Sequence, residues 1–164
     1  MNYAHYKPDP KLDLVLERYL DAPPALLWRA WTEPQHVMNW FTPKPWLTTA
    51  CEIDLRPGGG FVTRGKGPDT PEGPHVTACY LEVVPEQRLV WTTALAPGFR
   101  PGPSAMGVPL ITAMILFQPR GKGTQYRAIA MHRDEADNKQ HEEMGFFDGW
   151  GAVTTQLEAL AKTL

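Results

Sequence analysis

Residues 141–164 read HEEMGFFDGWGAVTTQLEALAKTL, and the spacing of their apolar side chains decides the fold. Phe146, Trp150, Val153, Leu157, Leu160 and Leu164 follow one another at intervals of 4, 3, 4, 3 and 4 residues. At about 100° per residue they fall on one narrow stripe, which predicts a long amphipathic helix with one buried face. On a single helix continued back to the start of the stretch, Glu142 projects about 40° to one side of the stripe and Glu143 about 60° to the other, while His141 points away. The two glutamates are then either first-turn acids favoured by the helix dipole or carboxylates at the edge of an internal cavity. In the second case one of them could bind a ligand donor or act as an acid or base with a raised pKa.

A helix of this kind needs an apolar surface to cover it, and the chain upstream supplies strands. Leu12, Leu14 and Leu16 alternate with Asp13, Val15 and Glu17, the period of a half-buried strand, and Asp21-Ala22-Pro23-Pro24 stops it. Pro24 suits a first helical turn, with Leu26, Leu27, Ala30 and Trp31 as the apolar positions of a short helix. Thr32-Glu33-Pro34-Gln35 then has the form of a capping box, predicting a second short helix that ends near Trp40-Phe41. From there to about residue 132 the pattern is strand and turn. TTACEIDL and the segment from Phe61 to Arg64 flank the turn RPGGG; VTACYLEVV and LVWTTAL flank Pro85-Glu86-Gln87-Arg88; ITAMILF and TQYRAIAMH flank PRGKG. The Pro/Gly-rich segment APGFRPGPSAMGVP reads as an exposed or lid-like loop. The order predicts an α+β domain whose antiparallel sheet wraps its apolar face around the closing helix. With 164 residues and 18.4 kDa, residues 1–164 are expected to form one domain.

Composition removes several function classes. A net charge of −2 without a Lys/Arg stripe gives no footprint for nucleic acid. The N-terminal segment lacks a basic stretch followed by an apolar run, and no segment has the length of a membrane span, so the protein is expected to be cytoplasmic. Cys51 and Cys79, the two cysteines of the chain, are far apart and read as reduced, buried hydrophobes. RPGGGFVTRGKG is a turn between strands: a phosphate-binding loop would need a following helix or a Ser/Thr after Gly-Lys. Ser104 is the only serine and has no nucleophile-elbow context, against a serine hydrolase. His5, His36, His75, His132 and His141 form neither HxxxH nor HExxH, and no Cys stands at zinc-type spacing, so no metal and no cofactor are expected. His132 and His141 read as surface or capping residues.

The stretches APPALLWRAWTEPQHVMNWF, DLRPGGGF, YLEVVPEQRLVWT and EEMGFFDGWGAVTTQLEAL, taken in this order, closely resemble the activator of heat-shock protein 90 ATPase homologue family. That family lies within the START-like, birch-pollen-allergen-like (SRPBCC) superfamily. The resemblance runs from about residue 12 to 162 and rests on Ala22-Pro23, Trp28, Pro34, Trp40, Arg56-Pro57-Gly58-Gly59, Phe61, Pro85, Arg88-Leu89 and Gly149-Trp150. It implies a helix-grip fold: a seven-stranded antiparallel sheet curled around a long C-terminal helix, with two short helices after the first strand. It also implies a cavity between sheet and helix that in many relatives takes an apolar ligand. The eukaryotic activator carries a further chaperone-binding domain, so the resemblance alone does not imply chaperone activation.

The first expectation is therefore a binding protein without a catalytic cycle, its cavity taking a small hydrophobic, aromatic or lipid-like molecule, with a role in stress or metabolite carriage. The expected lining is Trp40, Phe61, Trp91 and Met114 from the first helices and the sheet, then Met131, Glu142, Phe146 and Trp150. A second reading is a cavity enzyme of cyclase or dehydratase type, with Glu142 or Glu143 as acid–base and His132 as partner. A third is a co-chaperone-like interaction protein, whose partner would be a chaperone, or a homodimer; this reading requires an exposed apolar patch.

Overall fold

The computed structural model describes residues 6–102 and 107–164. His5 and Ser104 lie outside the described residues. The chain runs β1 (Asp13–Leu20), α1 (Pro24–Thr32), α2 (Pro34–Val37), β2 (Leu47–Ile53), β3 (Gly60–Lys66), β4 (Gly73–Val84), β5 (Arg88–Thr92), β6 (Leu95–Ala96), β7 (Arg100–Pro101), β8 (Thr112–Arg120), β9 (Gly123–Met131), α3 (Glu135–Glu143) and α4 (Phe146–Ala161). Seven strands form one antiparallel sheet in the order β1-β9-β8-β5-β4-β3-β2. Four pairings join strands consecutive in the chain, β2-β3, β3-β4, β4-β5 and β8-β9, and β9 also pairs with β1 across the length of the chain. The sheet curls around α4, with α1 and α2 closing one end, which is the expected helix-grip fold. Among the described residues no helix is long and apolar enough to cross a membrane.

The three glycines of RPGGG serve backbone packing. Gly58 adopts a φ of 83°, and its amide donates to Tyr80 O at 2.8 Å while Gly59 O accepts from Tyr80 N at 2.9 Å. A Cβ at Gly59 would occupy the position of the Asp54 carbonyl, and one at Gly60 would lie 2.8 Å from Pro97 Cγ. Only residues without side chains let the turn lie this close to β4 and to the 96–99 bend.

The two faces of the sheet bury different clusters, as the alternation of strand side chains dictates. Leu89 and Trp91 of β5, Ala113, Ile115 and Phe117 of β8, and Tyr126, Ala128 and Ala130 of β9 join Phe61 in the core beneath the helices. Val90, Met114 and Ile129 point to the opposite face, where Tyr6, Val15, Leu116 and Met131 pack against them. Tyr6 is held there by its hydroxyl, which donates to Asp13 Oδ2 at 2.7 Å.

Three details depart from the sequence expectation. The Thr32–Gln35 capping box does not form. Glu33 takes the N-cap position of α2 with no side-chain cap bond, and the Thr32 hydroxyl instead donates back to Trp28 O at 2.7 Å, since Pro34 begins a new helix one residue later than the box requires. The 96–109 loop begins as a short ribbon, with Leu95 paired to Pro101 and Ala96 to Arg100. The third departure has the largest effect: the closing segment forms two helices. Asp134 caps α3 by accepting the Asp137 amide at 2.8 Å, and α3 ends at Glu143. Gly145, in the left-handed region at φ 96°, then turns the chain into α4.

Candidate functional site

Helix α4 is anchored along its middle, to β1 on one side and to the segment following α2 on the other. Arg18 of β1 donates to Gly151 O at 3.1 Å and to Thr155 Oγ1 at 3.0 Å. Gln156 Nε2 donates to Trp40 O at 2.9 Å and Thr42 O at 2.8 Å, while its Oε1 accepts from Lys44 N at 3.1 Å. Against the inner face of α4 lies a cavity of about 760 Å³. Its apolar wall is largely aromatic: Trp31, Trp40, Phe41, Trp91, Tyr126 and Trp150. Val153 and Thr154 of α4, Ile111, and Val108-Pro109 from the end of the 96–109 loop complete much of the rest. Gly149 also lines it, and a Cβ built there meets nothing within 4 Å.

The aromatic wall is held by its own edge-to-face contacts. Trp31 meets Trp40 with ring centroids 4.7 Å apart, Phe41 meets Phe61 at 5.2 Å, and Phe61 meets Trp91 at 5.4 Å. The polar tips are mostly satisfied within the wall. Trp31 Nε1 donates to Tyr126 Oη at 3.2 Å, Trp40 Nε1 to Ala30 O at 2.9 Å, and Thr154 Oγ1 to Trp150 O at 2.7 Å. The indole nitrogen of Trp91 is buried without a partner among the described residues.

Two histidines stand at the cavity. His75 is a solvent-exposed residue with Nδ1 3.2 Å from Thr63 Oγ1. Partial enclosure lowers its pKa, and its exposure keeps the effect small. His141, from the last turn of α3, is more enclosed. Its ring packs edge-on to Phe146 at 5.2 Å and Trp150 at 6.2 Å, and its Nδ1 lies 2.8 Å from His132 Nε2. His132 is buried, and its Nδ1 lies 2.9 Å from Leu12 O. Burial first, and the neighbouring His132 second, bring the pKa of His141 down to about 4.

Of the eight residues expected to line the cavity, Trp40, Trp91 and Trp150 do so. Phe61 and Phe146 are buried in the core cluster and are not among the lining residues, with Phe61 packed edge-on to Trp91 and Phe146 against His141 and Trp150. Met114 and Met131 pack on the opposite face of the sheet. Strand β8 is apolar on both faces from Ala113 to Phe117, so alternation along it does not mark the inner side, whereas along β9 Met131 shares the face of Gln125 and Arg127, a legible sign that it points away from the helices. Glu142 and Glu143 are exposed and outside the cavity, and His141 lines it. The projection from the α4 stripe assumed one continuous helix, and Gly145 breaks that assumption by re-aiming everything before it. His132 is inside, as the residue behind His141. Asp134, three residues before Asp137, was the available signal for a separate helix; no sequence signal gives the direction of His141 after the break. Cys51 is half-buried and Cys79 buried, both as free thiols. Burial, and then Glu52, push the Cys51 thiol up to about 11, a poor setting for a nucleophile.

The sequence model for the family described as "Activator of Hsp90 ATPase homolog 1-like protein" matches residues 21–162. No curated protein matches the chain. Among solved structures, a protein from Nitrosomonas europaea is 46% identical, with 96% of this chain and 99% of that chain covered and a TM-score of 0.89. A Mycobacterium smegmatis protein at 22% identity covers 94% of this chain and 93% of its own, with a TM-score of 0.75. A protein from Arthrobacter aurescens at 19% identity covers 97% and 91%, with a TM-score of 0.79. The last two are likenesses of fold.

Proposed function

The chain belongs to the Activator of Hsp90 ATPase homolog 1-like family, and on that premise we propose that it is a binding protein for a small hydrophobic, aromatic or lipid-like molecule held between the sheet and α4. The observation that carries this reading is the cavity of about 760 Å³ with its wall of tryptophans. A mostly apolar lining with a few polar groups is the usual design of a small-molecule site. The acid–base version of a cavity enzyme draws no support, because Glu142 and Glu143 both lie in solvent outside the cavity. The co-chaperone reading has one feature on its side: Val108 and Met144 are half-exposed at the cavity mouth and could meet a protein partner.

The test is to fill the void from the protein's side. Gly149→Leu places a side chain where open space exists, and it replaces a helix-interior glycine at a gain of about 0.8–1 kcal/mol in helix propensity. Val153→Phe narrows the same wall. Nile red, an uncharged dye, should bind the native protein saturably and lose most of that binding in both variants, while the melting temperature of Gly149→Leu does not fall. A wild-type protein that leaves the dye dark, or fillers that bind it unchanged, would remove the carrier reading. A folded protein that captures a chaperone but no apolar molecule would favour the co-chaperone reading.

A further inference from the structure

The hydrogen bonds around His132 and His141 determine which ring nitrogens carry protons. Leu12 O can only accept, so His132 Nδ1, at 2.9 Å, carries a hydrogen. His132 is buried, and an uncharged imidazole carries a single ring hydrogen. Its Nε2 is then an acceptor, and His141 Nδ1, 2.8 Å away, must donate to it. A neutral His141 therefore keeps its one hydrogen on Nδ1 and leaves Nε2 with a bare lone pair. Nε2 has no hydrogen-bond partner among the described residues, on a ring that lines the cavity.

The rest of the lining has no formal charge. Among the described residues that form it there is no Lys, Arg, Asp or Glu, and its other imidazole is His75. Glu142 and Glu143, the carboxylates nearest His141 in the chain, are exposed. A carboxylate ligand would lose its hydration there and find no cation, and an ammonium would find no anion. A hydroxyl on an aromatic body matches both parts of the wall: its ring stacks among the indoles, and its O–H meets the His141 lone pair.

We propose that the cavity selects an uncharged aromatic molecule bearing a hydroxyl group, which donates its hydrogen bond to His141 Nε2, with His132 as the positioning residue that holds His141 in the accepting tautomer. This rests on the reading of the cavity as a ligand site. It names the chemical class that the site prefers and excludes free fatty-acid anions.

Three probes of one shape test it: 1-hydroxypyrene, 1-methoxypyrene and 1-pyrenecarboxylate, titrated at neutral pH by quenching of the cavity tryptophans. The hydroxyl compound should bind about 10-fold tighter than its methyl ether, the range of one net hydrogen bond. The carboxylate should bind at least about 100-fold more weakly than the hydroxyl compound. In His141→Asn the amide nitrogen can still donate to His132 from the place of Nδ1, but Nε2 is gone. The preference for hydroxyl over ether should there fall to about 1, whatever change the two compounds share in affinity, and His141→Phe should agree. Equal binding of hydroxyl and ether by the wild type, a preference that survives in both variants, or tight binding of the carboxylate would overturn the inference. If Nile red binds and the hydroxyl makes no difference, only this inference fails. If neither Nile red nor any pyrene binds, the cavity reading falls with it.

Discussion

At His141 the enclosure of the ring by Phe146 and Trp150 and the presence of His132 beside it hold the pKa at about 4, against an ordinary 6.5. Between those two values the unfolded chain binds a proton at this position that the folded chain does not. Folding stability from this ring is therefore fully present above about pH 6.5 and is lost as the pH falls toward 4. His75 is shifted in the same direction, and its exposure makes its share minor. Because His141 is only partly enclosed, solvent screening reduces the effect below what the full shift would give, to about 1–2 kcal/mol. Urea unfolding at pH 7.5 and pH 4.5 should show His141→Asn losing less stability over that interval than the wild type by about this amount. Equal losses would mean that the ring is hydrated in the folded protein.

The break between α3 and α4 determines where His141 points, and it depends on one residue. Gly145 sits at φ 96°, and a Cβ there would meet nothing within 4 Å. The cost of Gly145→Ala is therefore conformational strain alone, about 1–3 kcal/mol. Gly149, four residues later in the interior of α4 and equally free of contacts, supplies the control. Gly149→Ala should stabilise by about 0.5–1 kcal/mol, because an alanine loses less freedom than glycine on entering a helix. Opposite shifts of the denaturation midpoint in the two variants are expected. A neutral Gly145→Ala would indicate that α3 and α4 can merge into one helix at little cost.

At the scale of the whole molecule the sheet separates two apolar compartments, and a mutation on each face should affect different properties. Met114 is fully buried with Val90 and Ile129 on the face away from the helices. Met114→Ala should lower stability by about 2–5 kcal/mol and leave Nile red affinity unchanged in the folded fraction. A changed affinity would mean that the sheet transmits the defect to the cavity side. The particular residues show how much of this was legible in advance. The intervals from Phe146 to Leu164, the hairpin turns RPGGG and PRGKG, and Pro24 at the first helix marked most elements, their order and an antiparallel sheet around a closing helix, because local periodicity and turn chemistry act within a few residues, and the resemblance to the family implied the helix-grip form. Trp40, Trp91 and Trp150, three of the eight residues expected at the cavity, line it in the structure. The tertiary structure alone decided the facing of Met114, because a strand that is apolar on both sides has no preferred side until its neighbours pack. It alone decided that Glu142 lies in solvent and His141 at the cavity, because that outcome depends on the direction the chain takes after a left-handed glycine and on a histidine nine residues away. A hydrogen bond between His132 and His141 belongs to the packed molecule, where α3 is brought back over the end of β9.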